Sequence, residues 1–243
     1  SPVPKNVCAV SSGMKMKFGQ RMHPITEKIP KPLVNVNGVR MIDTAIRGLH
    51  HNGIYEIYIV VGYLKEQFKC LEQEYEGVKL IENPYYESCN NISSLYVARD
   101  YIEDALIMDG DQIIYNDQIL SPEFERSGYN CIWCENYTTE WLLTLDEHEI
   151  VKSCCKTGGA KGWQLFSVSR WNKEDGLRLK YDVEKEFAEK KNRDIYWDDV
   201  ALFCYPQEFQ LGIRQMKSGD IIEIDSLAEL AELDSSYRGY VKN

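Results

Sequence analysis

Residues 18–38 read FGQRMHPITEKIPKPLVNVNG and follow a short apolar run at positions 7–10. A glycine beside positively charged side chains is typical of an anion-binding loop, because the missing Cβ lets backbone N–H groups approach the anion closely. Gly19 and Arg21 supply that pair, and Lys31 adds a second positive charge in a Pro-Lys-Pro-Leu segment. A strand leading into such a loop is typical of α/β folds that bind phosphates, and the combination suits a triphosphate.

The distribution of charge supports a small polyanion as the ligand. Residues 1–40 hold seven Lys or Arg side chains and one acid, Glu27, whereas the whole chain has a net charge of −10. Nucleic-acid binding needs a broad basic face, which such an acidic chain does not offer. A solvated basic tail is the alternative interpretation of the same residues, although the placement of Gly and Pro argues against it.

The first half of the chain alternates between strand and helix patterns. We predict strands at 7–10, 55–61, 78–81 and 105–108, and helices at 41–49, 65–75 and 91–101. This alternation predicts an α/β fold with a mostly parallel, Rossmann-like central sheet and helices on both faces. Sites in such sheets lie beyond the carboxyl ends of the strands.

The second half has shorter segments joined by turns. We predict strands at 130–135, 140–146, 149–156, 163–169 and 221–224, a charged, solvated helix at 182–190 and a closing helix at 227–233. This pattern predicts an added small antiparallel lobe that holds an acceptor. We expect one domain over residues 1–243, with a nucleotide-binding half at 1–112 and an acceptor-binding half at 113–243.

Two acidic motifs are candidates for a metal site. Asp109 and Asp111 follow the predicted strand at 105–108, and Asp198 lies in the segment Tyr-Trp-Asp-Asp at 196–199. Magnesium prefers oxygen ligands, commonly one or two carboxylates together with phosphate oxygens. Asp111 and Asp198 are therefore the predicted metal ligands, with Asp109 in support. A simple Asp-Gly turn is the alternative interpretation of 109–111.

Residues 19–33 resemble the signature loop of nucleotidyltransferases, in which Gly and Arg precede Pro-x-Thr and Pro-Lys-Pro-Leu. The matching residues are Gly19, Arg21, Pro24, Thr26, Pro30, Lys31, Pro32 and Leu33. Within that superfamily, motifs at 62–68, 81–84, 90–94, 140–141 and 196–198 resemble the bacterial choline-phosphate cytidylyltransferases. The resemblance covers most of the chain and implies Mg²⁺-dependent transfer of CMP from CTP to phosphocholine, with Arg21 and Lys31 as catalytic residues.

The resemblance also implies which residues contact the two substrates. The implied nucleotide-binding residues are Ser12, Gly13, Gly19, Gln20, Tyr63, Glu66, Asn91, Ser93, Ser94 and Asp109. The implied acceptor-binding residues are Glu140, Trp141, Tyr196 and Trp197. A quaternary ammonium group accepts no hydrogen bonds and favours aromatic faces, so a cage of these rings would suit choline. Core packing is the alternative role for each of these aromatic residues.

One departure from the family pattern lies in the phosphate loop. The family's Ala-Ala-Gly stands here as Ser11-Ser12-Gly13, and the four residues 14–17 then separate it from Phe18-Gly19-Gln20-Arg21. Either the loop wraps the triphosphate differently, with Lys15 or Lys17 contributing, or turnover is slowed. The assignment of Arg21 and Lys31 does not depend on this choice.

Composition limits the remaining possibilities. The chain has no run of about 18 apolar residues, which excludes a membrane span of that kind, and its eight scattered cysteines indicate reduced thiols and a cytoplasmic protein. A structural zinc site at Cys131, Cys134, Cys154 and Cys155 is the less favoured interpretation, because adjacent strand residues point to opposite faces. The first residues, Ser1-Pro2, lead us to expect an excised piece of a longer chain, in which the family resemblance implies a fused kinase-like domain.

Two alternatives to phosphocholine transfer stay open at this point. The acceptor could instead be phosphoethanolamine, an aminoalkylphosphonate or a sugar 1-phosphate. The altered loop also fits a non-catalytic module that senses nucleotides and releases no pyrophosphate.

Overall fold

The structure is a computed structural model and describes residues 6–10 and 19–241. Its strands are β1 (Asn6–Val10), β2 (Asn35–Val36), β3 (Val39–Arg40), β4 (Glu56–Val61), β5 (Val78–Glu82), β6 (Ala105–Asp109), β7 (Gln112–Ile114), β8 (Gly128–Cys134), β9 (Leu142–Leu145), β10 (Val151–Cys155), β11 (Gly162–Trp171), β12 (Gly212–Gln215) and β13 (Ile221–Glu223). Its α-helices are α1 (Met41–His51), α2 (Lys69–Glu74), α3 (Ile92–Ala98), α4 (Lys173–Glu184) and α5 (Leu227–Leu233).

Four parallel strands form the centre of the main sheet, in the order β5-β4-β1-β6. Residues 57–61 of β4 are all buried, as expected for a strand covered on both faces. Alternate residues of that strand enter two different cores: Ile59 packs in the cluster that contains residues of α1 and α2, and Val60 in the cluster that contains residues of α3 and α4. The predicted sheet with helices on both faces is therefore confirmed.

Antiparallel strands extend this sheet. β11 pairs with β6 through residues 168–171 and with β9 through Trp163 and Gln164, while its other edge pairs with β8. The pairing of β11 with β8 shifts register between Leu165 and Ser169, in the part of β11 that lies between its pairing with β9 and its pairing with β6. The predicted antiparallel addition is thus continuous with the central sheet.

Three predicted helices differ from the structure in extent. The segment 65–75 begins as a 3₁₀ turn, Lys65–Phe68, before α2, and the segment 91–101 ends as a 3₁₀ turn, Arg99–Tyr101, after α3. The charged helix expected at 182–190 begins at Lys173 and continues beyond α4 as a π-helical turn, Lys185–Glu189. It is not simply a solvated face, because Val183 and Phe187 are buried in the core.

Four short strands were not predicted from the sequence. β2 and β3 form a small hairpin, β12 runs parallel to β8, and β7 pairs antiparallel with β13. The last pair brings the C-terminal part of the chain beside the end of β6. Among the described residues, no helix is long and apolar enough to span a membrane.

Candidate active site

Asp109 and Asp111 lie at the carboxyl end of β6, where the chain turns into β7. Asp109 Oδ1 is buried and has no hydrogen-bond partner among the described residues. Burial, together with the negative charges of Asp111 and Asp198, raises the pKa of the Asp109 carboxyl well above its usual range. This edge of the sheet therefore holds several carboxyl groups close together in a place sheltered from water, which favours the protonated form of Asp109.

Lys31 brings positive charge to the same edge. It opens the 3₁₀ turn Lys31–Leu33, and its Nζ lies 3.0 Å from Asp111 Oδ2 and 3.2 Å from Asp225 Oδ1. Burial alone would lower the pKa of Lys31, but the neighbouring carboxylates of Asp111 and Asp225 outweigh it and raise the pKa to about 12. Lys31 is therefore a permanent cation in the site.

Asp198 enters the site from the loop after α4. Its Oδ1 accepts a hydrogen bond of 2.9 Å from the hydroxyl of Tyr129, which is fully buried in β8. Burial raises the pKa of Asp198 to about 7, although this hydrogen bond from Tyr129 opposes the shift. The Tyr129 contact fixes the carboxylate in position.

Asn91 ties two distant segments together at the site. It directly precedes α3, and its Oδ1 accepts a hydrogen bond of 2.8 Å from the backbone N–H of Trp197. The segment that contains Asp198 is therefore held against the start of α3. Asn91 also lines the cavity, so it can position the loop and still contact a ligand.

These side chains surround a cavity of about 340 Å³. Its lining includes nine residues predicted from the sequence: Arg21, Lys31, Asn91, Asp109, Asp111, Glu140, Trp141, Tyr196 and Asp198. It also includes four that were not predicted: Leu165, Ser167, Glu223 and Asp225. The structure thus brings residues from the first and second halves of the chain into one site.

Glu223 and Asp225 reach the cavity through strand pairing. Glu223 pairs with Gln112 in the β7–β13 ladder, and Gln112 Nε2 donates a 2.9 Å hydrogen bond to Glu223 Oε1. Burial and the charges of Asp111 and Asp225 raise the pKa of Glu223 to about 7. The alternation of acids with isoleucines at 222–225 was the available signal, since it places both acids on one face of the strand.

Several predicted residues lie outside the cavity lining. Tyr63 and Glu66 are on the surface, where the Tyr63 hydroxyl donates to Glu27 O and Glu66 pairs with Lys69. Ser93 and Ser94 are buried, and Asn83 Nδ2 donates to both hydroxyls at 2.9 and 3.2 Å. These two serines hold α3 against the turn after β5.

Trp197 differs from the expectation of an acceptor contact. Only 1% of its side chain is exposed, and its ring packs between Tyr129 and Trp171 at centroid distances of 6.2 and 6.1 Å. Its neighbours Tyr196 and Asp198 face the cavity, so Trp197 points into the core instead.

The remaining predicted residues belong to the phosphate loop. Ser12 and Gly13 lie outside the described residues. Gly19 and Gln20 begin the 3₁₀ turn Gly19–Met22, which carries Arg21 to the cavity.

The charges around the cavity are unbalanced. Six carboxyl groups line it, against the two cations Arg21 and Lys31. In the described part of the chain, no group of three or more His, Cys, Asp or Glu side chains forms a metal-binding cluster. A magnesium ion needs fewer protein ligands, since phosphate oxygens and waters complete its shell, so Asp111 and Asp198 could hold one together with a bound nucleotide.

Three aromatic rings stand at one side of the site. Trp141 meets Tyr196 and Phe203 edge to face, at centroid distances of 5.6 and 6.0 Å. The ammonium of Lys156 lies over all three rings, at 4.9 Å from Trp141, 5.8 Å from Tyr196 and 4.6 Å from Phe203. The same ammonium is ion-paired with Asp199.

Comparison with known proteins gives consistent results. The family model for nucleotidyl transferases matches residues 18–123. The 2-aminoethylphosphonate cytidylyltransferase of Lancefieldella rimae is 37% identical over 226 residues, which cover 92% of this chain and 91% of the relative. The choline-phosphate cytidylyltransferase of Streptococcus pneumoniae is 32% identical over 217 residues, which cover 89% of this chain and 93% of the relative.

Solved structures give the same result at the level of the fold. The structure of CTP:phosphocholine cytidylyltransferase from Streptococcus pneumoniae matches with a TM-score of 0.85 and 29% identity, covering 96% of this chain and 99% of the other. The inositol-1-phosphate CTP transferase of T. maritima matches with a TM-score of 0.72 at 16% identity, covering 100% of this chain and 99% of the other, and shares only the fold.

Proposed function

Because the chain belongs to the nucleotidyltransferase family, as an enzyme of its cytidylyltransferase branch, we propose that it transfers CMP from CTP to 2-aminoethylphosphonate. The products are a CMP-phosphonate anhydride and pyrophosphate. The observation that carries this proposal is one cavity that combines Arg21 and Lys31 with the carboxylate of Glu140 and the rings of Trp141 and Tyr196. Such a cavity suits a molecule with an anionic phosphonate at one end and an ammonium at the other.

The reaction needs little covalent help from the protein. A phosphonate oxygen of the acceptor attacks the α-phosphorus of CTP and forms an O–P bond, while the bond to the β-phosphate oxygen breaks and its electron pair leaves with pyrophosphate. Arg21 and Lys31 would neutralise the phosphate charges that would otherwise repel the two anions. Lys31 would exchange its present contacts with Asp111 and Asp225 for phosphate oxygens.

We also propose that Asp111 and Asp198 hold Mg²⁺ with the nucleotide. The fit rests on the excess of carboxylates in the cavity and on Asp109 Oδ1, which is buried without a hydrogen-bond partner among the described residues. When bound, the ion would neutralise charge on the triphosphate and orient it. Tyr129 would keep Asp198 in place through its 2.9 Å hydrogen bond.

The aromatic rings already contact a cation of the chain itself, which favours a primary ammonium on the acceptor. Trp141, Tyr196 and Phe203 already surround the Lys156 ammonium, so they do not form an empty cage for trimethylammonium. Glu140 can accept hydrogen bonds from a primary ammonium, whereas a quaternary ammonium has no N–H to donate. Phosphocholine is the second candidate, supported by the aromatic lining and by the similarity to the pneumococcal enzyme.

Pyrophosphate release tests this proposal. Purified protein with Mg²⁺ is assayed against four nucleotides (CTP, UTP, ATP and GTP) and three acceptors (2-aminoethylphosphonate, phosphoethanolamine and phosphocholine). We expect the highest kcat/KM with CTP and 2-aminoethylphosphonate. A higher kcat/KM with phosphocholine would favour the second candidate, and CTP binding without any pyrophosphate release would support the sensing module instead.

Asp111→Asn provides the matched variant for the metal assignment. It should lower kcat by at least about 100-fold, because it removes a charge that would hold the metal and the triphosphate together. Asp117→Asn is the control, since its carboxylate pairs with His51 and does not line the cavity. Full activity of Asp111→Asn would contradict the metal assignment.

A further inference from the structure

Lys156 follows β10 directly, and its side chain reaches the aromatic cluster that borders the active-site cavity. Trp141 and Tyr196 belong to both places: they line the cavity, and they also contact the Lys156 ammonium. Phe203 closes the third side, with its ring centroid 4.6 Å from the ammonium. A tethered cation therefore lies directly behind the cavity's aromatic wall.

Asp199 gives this arrangement its stability. Only 4% of the surface of Asp199 is exposed, and its carboxylate forms an ion pair with Lys156. A buried carboxylate without a cation is costly, so departure of the lysine is unfavourable unless another cation takes its place. The backbone N–H of Tyr196 also donates to Asp199 Oδ2 at 3.1 Å, which fixes the carboxylate relative to the rings.

Three aromatic faces beside a carboxylate form a site that would recognise a quaternary ammonium, and here the chain fills it with its own primary ammonium. We propose that Lys156 is a specificity-determining residue that excludes trimethylammonium acceptors from this aromatic pocket. The inference rests on the proposed function, because it assigns a role in choosing the acceptor for CMP transfer.

The exclusion follows from competition for Asp199. A tethered ammonium competes at a high effective concentration, so a free ligand must bind the pocket better in order to displace it. Trimethylammonium cannot donate a hydrogen bond to Asp199 and is bulkier than the lysine ammonium, so it replaces the present contacts poorly. A primary ammonium can bind to Glu140 on the cavity side and leave Lys156 where it is.

Removal of the lysine should change the selectivity of the enzyme. We expect Lys156→Ala to raise the ratio of kcat/KM for phosphocholine to kcat/KM for 2-aminoethylphosphonate by about tenfold or more, the size of one desolvated cation–π contact. Lys152→Ala is the matched control, because Lys152 is exposed on the same strand and contacts none of the three rings. An unchanged ratio in Lys156→Ala would overturn the inference.

A binding measurement tests the same point without turnover. Tetramethylammonium should quench the tryptophan fluorescence of Lys156→Ala in a saturable way and should leave wild type and Lys152→Ala unchanged. The double variant Lys156→Met/Asp199→Asn removes both charges and keeps the pocket filled, so it should fold and bind no tetramethylammonium.

The two proposals can fail separately. Wild type without pyrophosphate release on any acceptor would refute the proposed function, while the tetramethylammonium titration would still decide the inference. Equal binding of tetramethylammonium to wild type and Lys156→Ala would overturn the role of Lys156, even in an enzyme that prefers 2-aminoethylphosphonate.

Discussion

Two neighbouring arginines in the second half of the sheet differ in the hydrogen bonds that they make. Arg170 in β11 is 3% exposed, and its Nε has no hydrogen-bond partner among the described residues. Burial and the nearby charge of Arg214 lower the pKa of Arg170 to about 9, so it is still charged at pH 7. Arg214 in β12 instead donates to the carbonyl oxygens of Ile119, Ser121 and Glu123.

This contrast predicts opposite effects for the same substitution. Arg170→Met should raise the free energy of unfolding by about 1–2 kcal/mol, because it replaces a buried charge that has no ion pair among the described residues with an apolar side chain of similar length. Arg214→Met should lower it by about 2 kcal/mol, because three carbonyl oxygens lose a charged donor. Urea denaturation at pH 7 measures both, and a loss of stability in Arg170→Met as large as that in Arg214→Met would contradict the account.

Asp182 gives the fold a dependence on pH. Both carboxylate oxygens are buried without hydrogen-bond partners among the described residues, and burial, with the charge of Glu208, raises the pKa to about 6. Because the folded pKa is above the unfolded value, protonation favours the folded state. The free-energy cost of burying the charged carboxylate is therefore absent below about pH 4. It grows between about pH 4 and pH 6 and is complete above about pH 6.

Asp182→Asn should remove this cost. We expect a gain of about 3 kcal/mol in the free energy of unfolding at pH 8 and almost none at pH 4, by the linkage of about 1.4 kcal/mol for each pKa unit. Glu174→Gln, an exposed position in the first turn of α4, is the control. A gain in Asp182→Asn that does not change with pH would show that charge is not the cause.

At the scale of elements, tertiary contacts stabilise α4 although its local sequence has a low helix propensity. It contains Gly176 and many charged residues, yet Leu179, Val183 and Phe187 recur every four residues and are buried. A Cβ at Gly176 would lie 2.3 Å from the carbonyl oxygen of Ile102. Glycine is therefore needed there for close approach of two segments.

Gly176→Ala separates helix propensity from tertiary contact. Propensity alone predicts a gain of about 1 kcal/mol, whereas the clash with Ile102 predicts a loss of about 2–3 kcal/mol. We expect the loss, measured by thermal or urea denaturation. Leu177→Ala, at an exposed position one residue later, should change stability by less than about 0.5 kcal/mol, and a stabilised Gly176→Ala would contradict this contact.

The same contrast explains which elements could be predicted from the sequence. β4 was predictable, because its run of β-branched and aromatic residues requires burial on both faces. β12 was not, since its parallel pairing with β8 depends on chain that folds in between. For α4, the spacing of Leu179, Val183 and Phe187 was the signal, and Gly176 together with the surrounding charges obscured it.

The site was predictable where the chemistry follows a strand end. Asp109 and Asp111 could be placed from the strand before them, Arg21 and Lys31 from their position beside Gly19 and in Pro-Lys-Pro-Leu, and Asp198 from its acidic motif, and the family resemblance points to the same residues. Glu223 and Asp225 were missed because the alternation at 222–225 places both acids on one face of a strand but does not show that β13 pairs with β7 beside the cavity.

The direction in which the aromatic side chains point could not be predicted from the sequence either. The chain turns here, with Asp199 N–H donating to Tyr196 O and Val200 N–H to Trp197 O, and Tyr196 faces the cavity while Trp197 enters the core. The sequence identifies these residue types but does not decide which of them a ligand meets.

At the scale of the whole molecule, the cavity joins the two halves of the chain, so a ligand should stabilise the fold as a unit. A ligand at 100 times its Kd adds about 2.7 kcal/mol, which for a chain of this size corresponds to a rise in Tm of about 5–10 °C. We expect this rise with CTP and Mg²⁺ together and a smaller one with CTP alone. Thermal denaturation followed by circular dichroism measures it.

Asp111→Asn should lose the part of this stabilisation that depends on Mg²⁺, and Asp117→Asn should keep it. The net charge of −10 makes nonspecific binding of a nucleotide unfavourable, so a rise in Tm reports the site itself. Equal shifts with CTP in the presence and absence of Mg²⁺ would contradict the metal assignment.

Transfer of CMP to an aminoalkylphosphonate can be followed by ³¹P NMR of one reaction mixture. The mixture contains the protein, Mg²⁺, CTP and 2-aminoethylphosphonate, and inorganic pyrophosphatase is omitted so that pyrophosphate stays visible. We expect the CTP signals to decline while pyrophosphate and two mutually coupled signals of a phosphonate–phosphate anhydride grow in equal amounts. An unchanged phosphonate signal, with CTP either intact or merely hydrolysed, would contradict transfer of CMP to this acceptor.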